Sequence, residues 1–282
     1  MRIALTGAQG QLGHELQRVL AKHELIPLDL PAFDLTKPDC ADAMLDAAPE
    51  IIVHAGAYTD VDGAERNPEL AMAINASGTE RVTRAAEQVG ARMIYISTDY
   101  VFDGRAHRPY VEKDAPNPVS VYGASKRAGE ERVLGMCRNA LVVRTAWLYG
   151  SHGKNFVKTI LQLASERPVL KVVADQRGCP TFAGDLAAVI GQLLDRPVTG
   201  ILHVANSGSC TWREFAAAIV SLSGRSVPVE PITTAEAGRL ARRPAYSVLA
   251  SDRHLELGLR MPTWEDALKR FLQPVSVGVS AS

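Results

Sequence analysis

The 282-residue chain carries 31 Lys plus Arg against 31 Asp plus Glu, so its formal net charge is zero and nothing in the balance supplies a nucleic-acid face or an anionic-membrane surface. Apolar residues make up 46% and charged residues 22%, an ordinary globular composition with room for one large domain and a smaller lobe. No apolar run reaches the length of a membrane span, and the start of the chain lacks the apolar stretch and cleavage site of a secretory signal, so a cytoplasmic protein with a small-molecule partner is expected.

In chain order, residues 2–6, 25–28, 51–54, 93–97 and 141–144 are short runs rich in Ile, Val and Leu without polar alternation, as in strands buried on both faces of a parallel sheet. Helical patterns at 10–22, 38–48, 68–89 and 121–137 separate them. This alternation predicts an α/β fold with a doubly wound parallel sheet of Rossmann type. The second half is less regular, with helices expected over 155–166, 183–195, 211–223 and 263–272, and strands over 169–173 and 201–204. A loop is expected over 175–181, irregular chain over 227–247, and a patternless, disordered tail over 276–282. Residues 1–150 therefore read as a dinucleotide-binding domain, with late sheet elements near 183–205 and 235–250, and residues 151–275 as a smaller, interleaved substrate lobe. The four cysteines form no C-x-x-C pair and the seven histidines no ligand cluster, which predicts reduced thiols and no metal site.

Gly7-Ala8-Gln9-Gly10-Gln11-Leu12-Gly13 lies between the first strand and the first helix. Glycines there allow a tight turn and close approach of backbone amides to a pyrophosphate, and the helix N-terminus adds unpaired N–H groups and partial positive charge. Asp29, at the end of the second strand, suits the adenosine ribose diol, and such a carboxylate repels a 2′-phosphate. Asp34 and Leu35 are candidates for the adenine edge. Small residues at the end of the third strand, through Ala57 and Thr59, admit the cofactor's sugar–phosphate, whereas His54 reads as a packed strand residue.

Thr98 ends the fourth strand, and Tyr122 and Lys126 open the next helix. A separation of four residues puts Tyr122 and Lys126 on one helix face. A phenol titrates near 10, and an ammonium beside it is expected to lower that value towards the operating range. Lys126 can also hold the nicotinamide ribose, and the Thr98 hydroxyl can orient the reacting carbonyl. Tyr-x-x-x-Lys alone is common in helices; after a Gly-rich loop and a strand ending in Ser-Thr it marks a hydride-transfer site.

With these residues in place, the chain resembles the extended short-chain dehydrogenase/reductase family over nearly its whole length. The matching stretches are LTGAQGQLGHEL at the start, YTDVDGAE (58–65), STDYVFDG (97–104), VYGASKRAGE (121–130), RTAWLYG (144–150), NFVKTIL (155–161) and DQRGCPT (175–181). STDYVFDG and RTAWLYG are the most specific, and they resemble the branch that reduces dTDP-linked 4-keto sugars with NADPH or NADH. The resemblance implies that Tyr122 is the general acid and that Lys126 tunes it and binds cofactor. Thr98, Asp99 and Trp147 would contact the sugar, and Gly10, Gln11, Leu12, Asp29, Asp34, Leu35, Ala57, Tyr58, Thr59 and Ile96 would meet the cofactor. Among Lys154, Lys158, Arg177, Arg242 and Arg243, cations for a diphosphate, Arg243 is singled out because its loop is expected to return towards the sheet.

Related dehydratases carry Asp-Glu after the threonine; here Tyr100 follows Thr98-Asp99, so the second carboxylate of an elimination is missing. Some relatives bind Mg²⁺ through glutamates at a homodimer contact. Glu15 is present, but Gly184 stands where the second acid is sought, so no metal ligand is assigned and a homodimer would have to form without that bridge. Two alternatives stay open: a cofactor-binding regulatory subunit without turnover, and an epimerase or reductase of another nucleotide sugar.

Overall fold

The central first-half strands lack polar alternation because both of their faces are covered, whereas the run over 24–28, at the sheet edge, is only partly buried. The computed structural model describes residues 1–254 and 256–273, so the expected disordered tail at 276–282 lies outside the described residues. The strands β1 (Arg2–Thr6), β2 (Glu24–Leu28), β3 (Ile51–His54), β4 (Arg92–Thr98) and β5 (Ala140–Thr145) form one parallel sheet with Gly200–His203. Its order is β2-β1-β3-β4-β5 and then Gly200–His203. Alternate residues feed two cores. Ile3, Leu5, Val53, Ile94, Leu141 and Val143 face the helices Gln11–Val19, here α1, and Ala183–Leu193. Ala4, Ile52, Met93, Tyr95 and Val142 face the helices Thr79–Gln88 and Val121–Met136 on the other side. The expected doubly wound fold is present, and the direction of winding reverses between β1 and β3, where such sheets bind ligands at the carboxyl ends of their strands.

The second lobe packs the helices Phe156–Glu166, Trp212–Leu222 and Trp264–Leu272 around Val157, Ile160, Phe215, Ile219 and Leu268. Four local readings are corrected. The 227–247 segment is not wholly irregular: Val229–Ile232 pairs in parallel with Leu170–Val173, and Thr234–Ala237 is a helical turn closed by a Thr233–Glu236 capping box. Pro231 and a length of four residues hide that strand in the sequence. Residues 235–250, where another sheet element is expected, add no strand to the main sheet and make only isolated bridges, Tyr246 to Arg177 and Leu249 to Tyr110. A short helix at Val61–Arg66, not foreseen, is capped by Asp60, whose side chain accepts from the Gly63 N–H. The 68–89 helix contains a π-helical turn at Ala73–Gly78.

Candidate active site

The carboxyl ends of β1, β3, β4 and β5 open into a groove of about 800 Å³. It is lined by Gly7, Gly10, Gln11, Leu12, Gly13, Asp29, Ala57, Thr59, Ile96, Thr98, Asp99, Tyr122, Lys126 and Trp147, all expected from the sequence to meet cofactor or substrate. Asp34 and Leu35 line a smaller recess of about 110 Å³ that shares Gly7, Asp29 and Ala57 with the groove, as an adenine slot beside a ribose would. Tyr58 and Arg243 are outside the groove lining.

The loop at Gly7–Gly13 fits a dinucleotide by exclusion. Gly7 has φ of +67°, and a Cβ on it would stand 2.7 Å from the Gly56 nitrogen; a Cβ on Gly13 would collide with the Gly7 and Ala8 carbonyls. The N-terminus of α1, at Gly10, has no side-chain cap, so its backbone N–H groups face the groove unshielded. Asp29 is pinned by the Gln9 N–H at 2.7 Å and the Leu30 N–H at 2.8 Å, which fixes its carboxylate where the groove meets the smaller recess.

At the other end, Ser120 caps the Val121–Met136 helix by accepting from the Gly123 N–H at 3.1 Å, and the first turn carries Tyr122 and Lys126. The Lys126 Nζ donates to the Ile96 carbonyl at 2.8 Å and lies 4.1 Å from the centre of the Tyr95 ring. Burial pushes its pKa down to about 7. The expectation that this ammonium lowers the Tyr122 pKa is not met. Burial instead pushes the phenol up to about 12, opposed by a hydrogen bond with the Thr98 side chain. The physical reason is that both groups are desolvated while the ammonium is directed to Ile96. The phenol therefore stays protonated, the state a general acid requires.

Thr98 Oγ1 accepts from the Tyr100 N–H at 3.2 Å and donates to Asp99 Oδ1 at 3.1 Å. Burial raises the Asp99 pKa to about 6. Asp99 Oδ2 and the Thr145 hydroxyl are buried without a hydrogen-bond partner among the described residues, and both residues line the groove. Such atoms are costly unless a ligand satisfies them.

Trp147 lines the groove, stacked on Trp212 with ring centres 3.5 Å apart. Arg243 makes a paired contact with Asp62, its Nη2 3.0 Å from Oδ2, and lines a second cavity of about 640 Å³ in the smaller lobe. Of the other cations, Lys154 lines the groove, while Arg177 pairs with Glu214 at 3.1 Å and the Lys158 Nζ donates to the Ser151 and Gly153 carbonyls. His54, as expected, is packed: it bonds Thr6 at 2.6 Å, and burial holds its pKa near 3.

Sequence reasoning missed Asn75, Ser125 and Trp212. Buried Asn75, in the π-helical turn, accepts from the Tyr58 N–H at 2.8 Å and donates both to the Tyr58 carbonyl and to the Ser125 hydroxyl. Ser125 in turn donates to the Tyr122 carbonyl at 2.8 Å, so this chain ties the Tyr58 loop to the catalytic helix. A polar residue in an otherwise ordinary helical run carries no periodic signal; only the interruption of the helix marks it. Glu15 bonds Arg18 at 3.0 Å, and among the described residues no three His, Cys, Asp or Glu side chains are grouped to hold a metal.

A Gly-rich dinucleotide loop facing Thr98, Tyr122 and Lys126 across one groove defines a nicotinamide-dependent oxidoreductase of the short-chain dehydrogenase/reductase type. Comparison with known proteins narrows the class. The sequence profile of the RmlD substrate binding domain matches residues 1–277. The chain is 40% identical to the dTDP-4-dehydrorhamnose reductase of Sinorhizobium fredii over 286 residues, covering 96% of this chain and 97% of that protein. It is also 40% identical to the spore coat polysaccharide biosynthesis protein SpsK of Bacillus subtilis, over 96% of this chain and 97% of that one. The crystal structure of the dTDP-4-dehydrorhamnose reductase of Bacillus anthracis in complex with NADP superposes with a TM-score of 0.93 at 43% identity, covering 96% and 98% of the two chains. The chain belongs to the dTDP-4-dehydrorhamnose reductase family.

Proposed function

We propose that the protein reduces the C4 ketone of dTDP-4-dehydro-6-deoxy-L-mannose to dTDP-L-rhamnose with NADPH or NADH. The observation that carries this reading is the convergence of Tyr122, Thr98 and Lys126 on the groove that begins at the Gly7–Gly13 loop. The nicotinamide supplies a hydride to C4 when bound. Tyr122, held protonated by burial, gives its proton to the O4 alkoxide, and the Thr98 hydroxyl orients that oxygen. Lys126 has two N–H donors beyond the one spent on Ile96, and these suit ribose hydroxyls. Asp99 and Thr145, each with a buried unpartnered oxygen at the groove, suit sugar hydroxyls.

The 1–150 part would hold the cofactor and the 151–275 lobe the nucleoside. Support for the lobe's share comes from the second cavity, where Leu163, Val172 and Ile232 offer an apolar wall for a base and Arg239 and Arg243 flank it as cations for a diphosphate. Arg239 is the freer of the two, being mostly exposed and 3.8 Å from Asp62. We assign the reaction to the cytoplasm, where the four buried free cysteines stay reduced.

Elimination is disfavoured by Tyr100, which occupies the position after Asp99, packs edge-on against Tyr122 at 5.5 Å and is kept neutral by burial. The test is NADPH oxidation with the 4-keto sugar. A regulatory subunit without turnover would bind NADPH and leave it unoxidised, and an epimerase would convert the sugar without consuming hydride.

A further inference from the structure

Trp147 is one of two non-glycine residues among those described with positive φ, at 46°, a conformation that a bulky side chain adopts only when its surroundings hold it there. What holds it is visible. Its indole lies flat on that of Trp212, with 4° between the ring planes. A Cβ on Gly178 would strike the indole ring of Trp147. Trp212 is itself fixed from three directions. It opens the Trp212–Leu222 helix behind a complete capping box, in which Thr211 accepts from the Glu214 N–H and Glu214 accepts from the Thr211 N–H. Glu214 is also bridged by Arg177, the neighbour of Gly178. The Trp212 Nε1 donates to Gln176 Oε1 at 3.2 Å, and Gln176 is bonded to Thr234 at 2.9 Å. Phe156 packs against the indole at 4.5 Å.

Trp212 is also the tryptophan that lines both cavities, the groove holding Tyr122 and the pocket in the smaller lobe. A ligand with its sugar at Tyr122 and its nucleoside in the lobe must pass this indole. On these grounds, and resting on the function proposed above, we propose that Trp212 is a positioning residue of the sugar-nucleotide site. It fixes the Trp147 indole at the sugar and walls the sugar groove from the nucleoside cavity. The Gly7–Gly13 loop and Asp29 line the groove but not the lobe cavity, so KM for NADPH serves as the control.

The experiment compares wild type with Trp212→Leu, which keeps apolar bulk but no aromatic face, and Trp212→Phe, which keeps a face. Steady-state kinetics varies the 4-keto sugar nucleotide and NADPH separately, and calorimetry measures dTDP binding with NADPH present. Trp212→Leu is expected to raise KM for the sugar nucleotide at least tenfold and weaken dTDP binding by a similar factor, with KM for NADPH within twofold of wild type; Trp212→Phe recovers most of the loss. Gly178→Ala, which displaces Trp147 from another side, raises the same KM. Unchanged sugar-nucleotide KM and dTDP affinity in Trp212→Leu, or an equal rise in KM for NADPH, overturns the proposal. Wild-type protein that binds dTDP but oxidises no NADPH contradicts the proposed reaction instead, and the dTDP affinities then decide the role of Trp212 by themselves.

Discussion

Tyr122 and Lys126 share one helix face a turn apart, yet the Lys126 ammonium is directed to the Ile96 carbonyl, 2.8 Å away, and not to the phenol. In the proposed reaction the pair therefore serves as an acid and an anchor. Tyr122 keeps its proton because it is buried, and Lys126 is held at the carboxyl end of β4 by one of its three N–H bonds.

Tyr122→Phe removes the acid and leaves the ring. A positioned general acid contributes about 10²–10⁴-fold, so kcat for NADPH-dependent reduction should fall by that order. NADPH affinity, measured by fluorescence titration, should change less than about threefold. A variant within a few-fold of wild-type kcat would show that another group protonates the alkoxide.

Burying the Lys126 ammonium has a sign that can be checked without substrate. The folded pKa, near 7, lies below the ordinary value of 10.5, so between those values the unfolded chain binds more protons. The destabilisation is complete below about 7, shrinks as pH rises and vanishes above 10.5. Urea unfolding of the ligand-free enzyme from pH 7 to 9.5 should show a stability increment in wild type that Lys126→Met lacks. The window stays below the range in which Tyr122 titrates. Parallel curves for the two proteins would mean that Lys126 is not desolvated.

Under the proposed cofactor placement, the Asp29 carboxylate, pinned by the Gln9 and Leu30 amides, faces the ribose and would repel a 2′-phosphate. Asp29→Ala should raise kcat/KM for NADPH relative to NADH about tenfold, the equivalent of ~1.4 kcal/mol of relieved like-charge repulsion. An unchanged ratio would place the discrimination elsewhere in the groove.

Below the site, Arg144 and Glu130 form an ion pair with both side chains fully buried, 2.7 Å apart, and Glu130 also accepts from Ser97 beside Thr98. Arg127 also pairs with Glu130, at 3.2 Å, so removing Arg144 leaves the buried carboxylate only partly compensated, and the loss falls at the low end of the about 3–5 kcal/mol typical of a broken buried pair. Arg144→Met should cost that much in chemical denaturation and Glu130→Gln somewhat less, since the amide still accepts a hydrogen bond. Wild-type stability in Arg144→Met would contradict the burial of the pair.

The sequence made the sheet and the cofactor loop readable because each depends on local pattern. Runs such as Ile51–Val53 are apolar throughout, and the glycines of 7–13 stand between a strand and a helix. Thr98, Tyr122 and Lys126 were readable as a constellation because strand ends and helix starts converge at one edge of such a sheet. What stayed hidden depends on long-range packing. Asn75 reads as an ordinary helix residue until its bonds to Tyr58 and Ser125 are seen. Trp212 acquires meaning only from the fold that lays it on Trp147, 65 positions earlier in the chain. The sign of the Tyr122 shift is not legible in the sequence, because spacing gives proximity along a helix but not the direction of an ammonium or the depth of burial.

The most direct test supplies purified enzyme with dTDP-4-dehydro-6-deoxy-L-mannose and NADPH carrying deuterium at the transferred position, and follows cofactor oxidation and product by NMR. The proposed reaction predicts one NADPH oxidised per sugar, with dTDP-L-rhamnose as the product and deuterium at its C4. NADPH left unoxidised, or sugar converted without deuterium at C4, would contradict it.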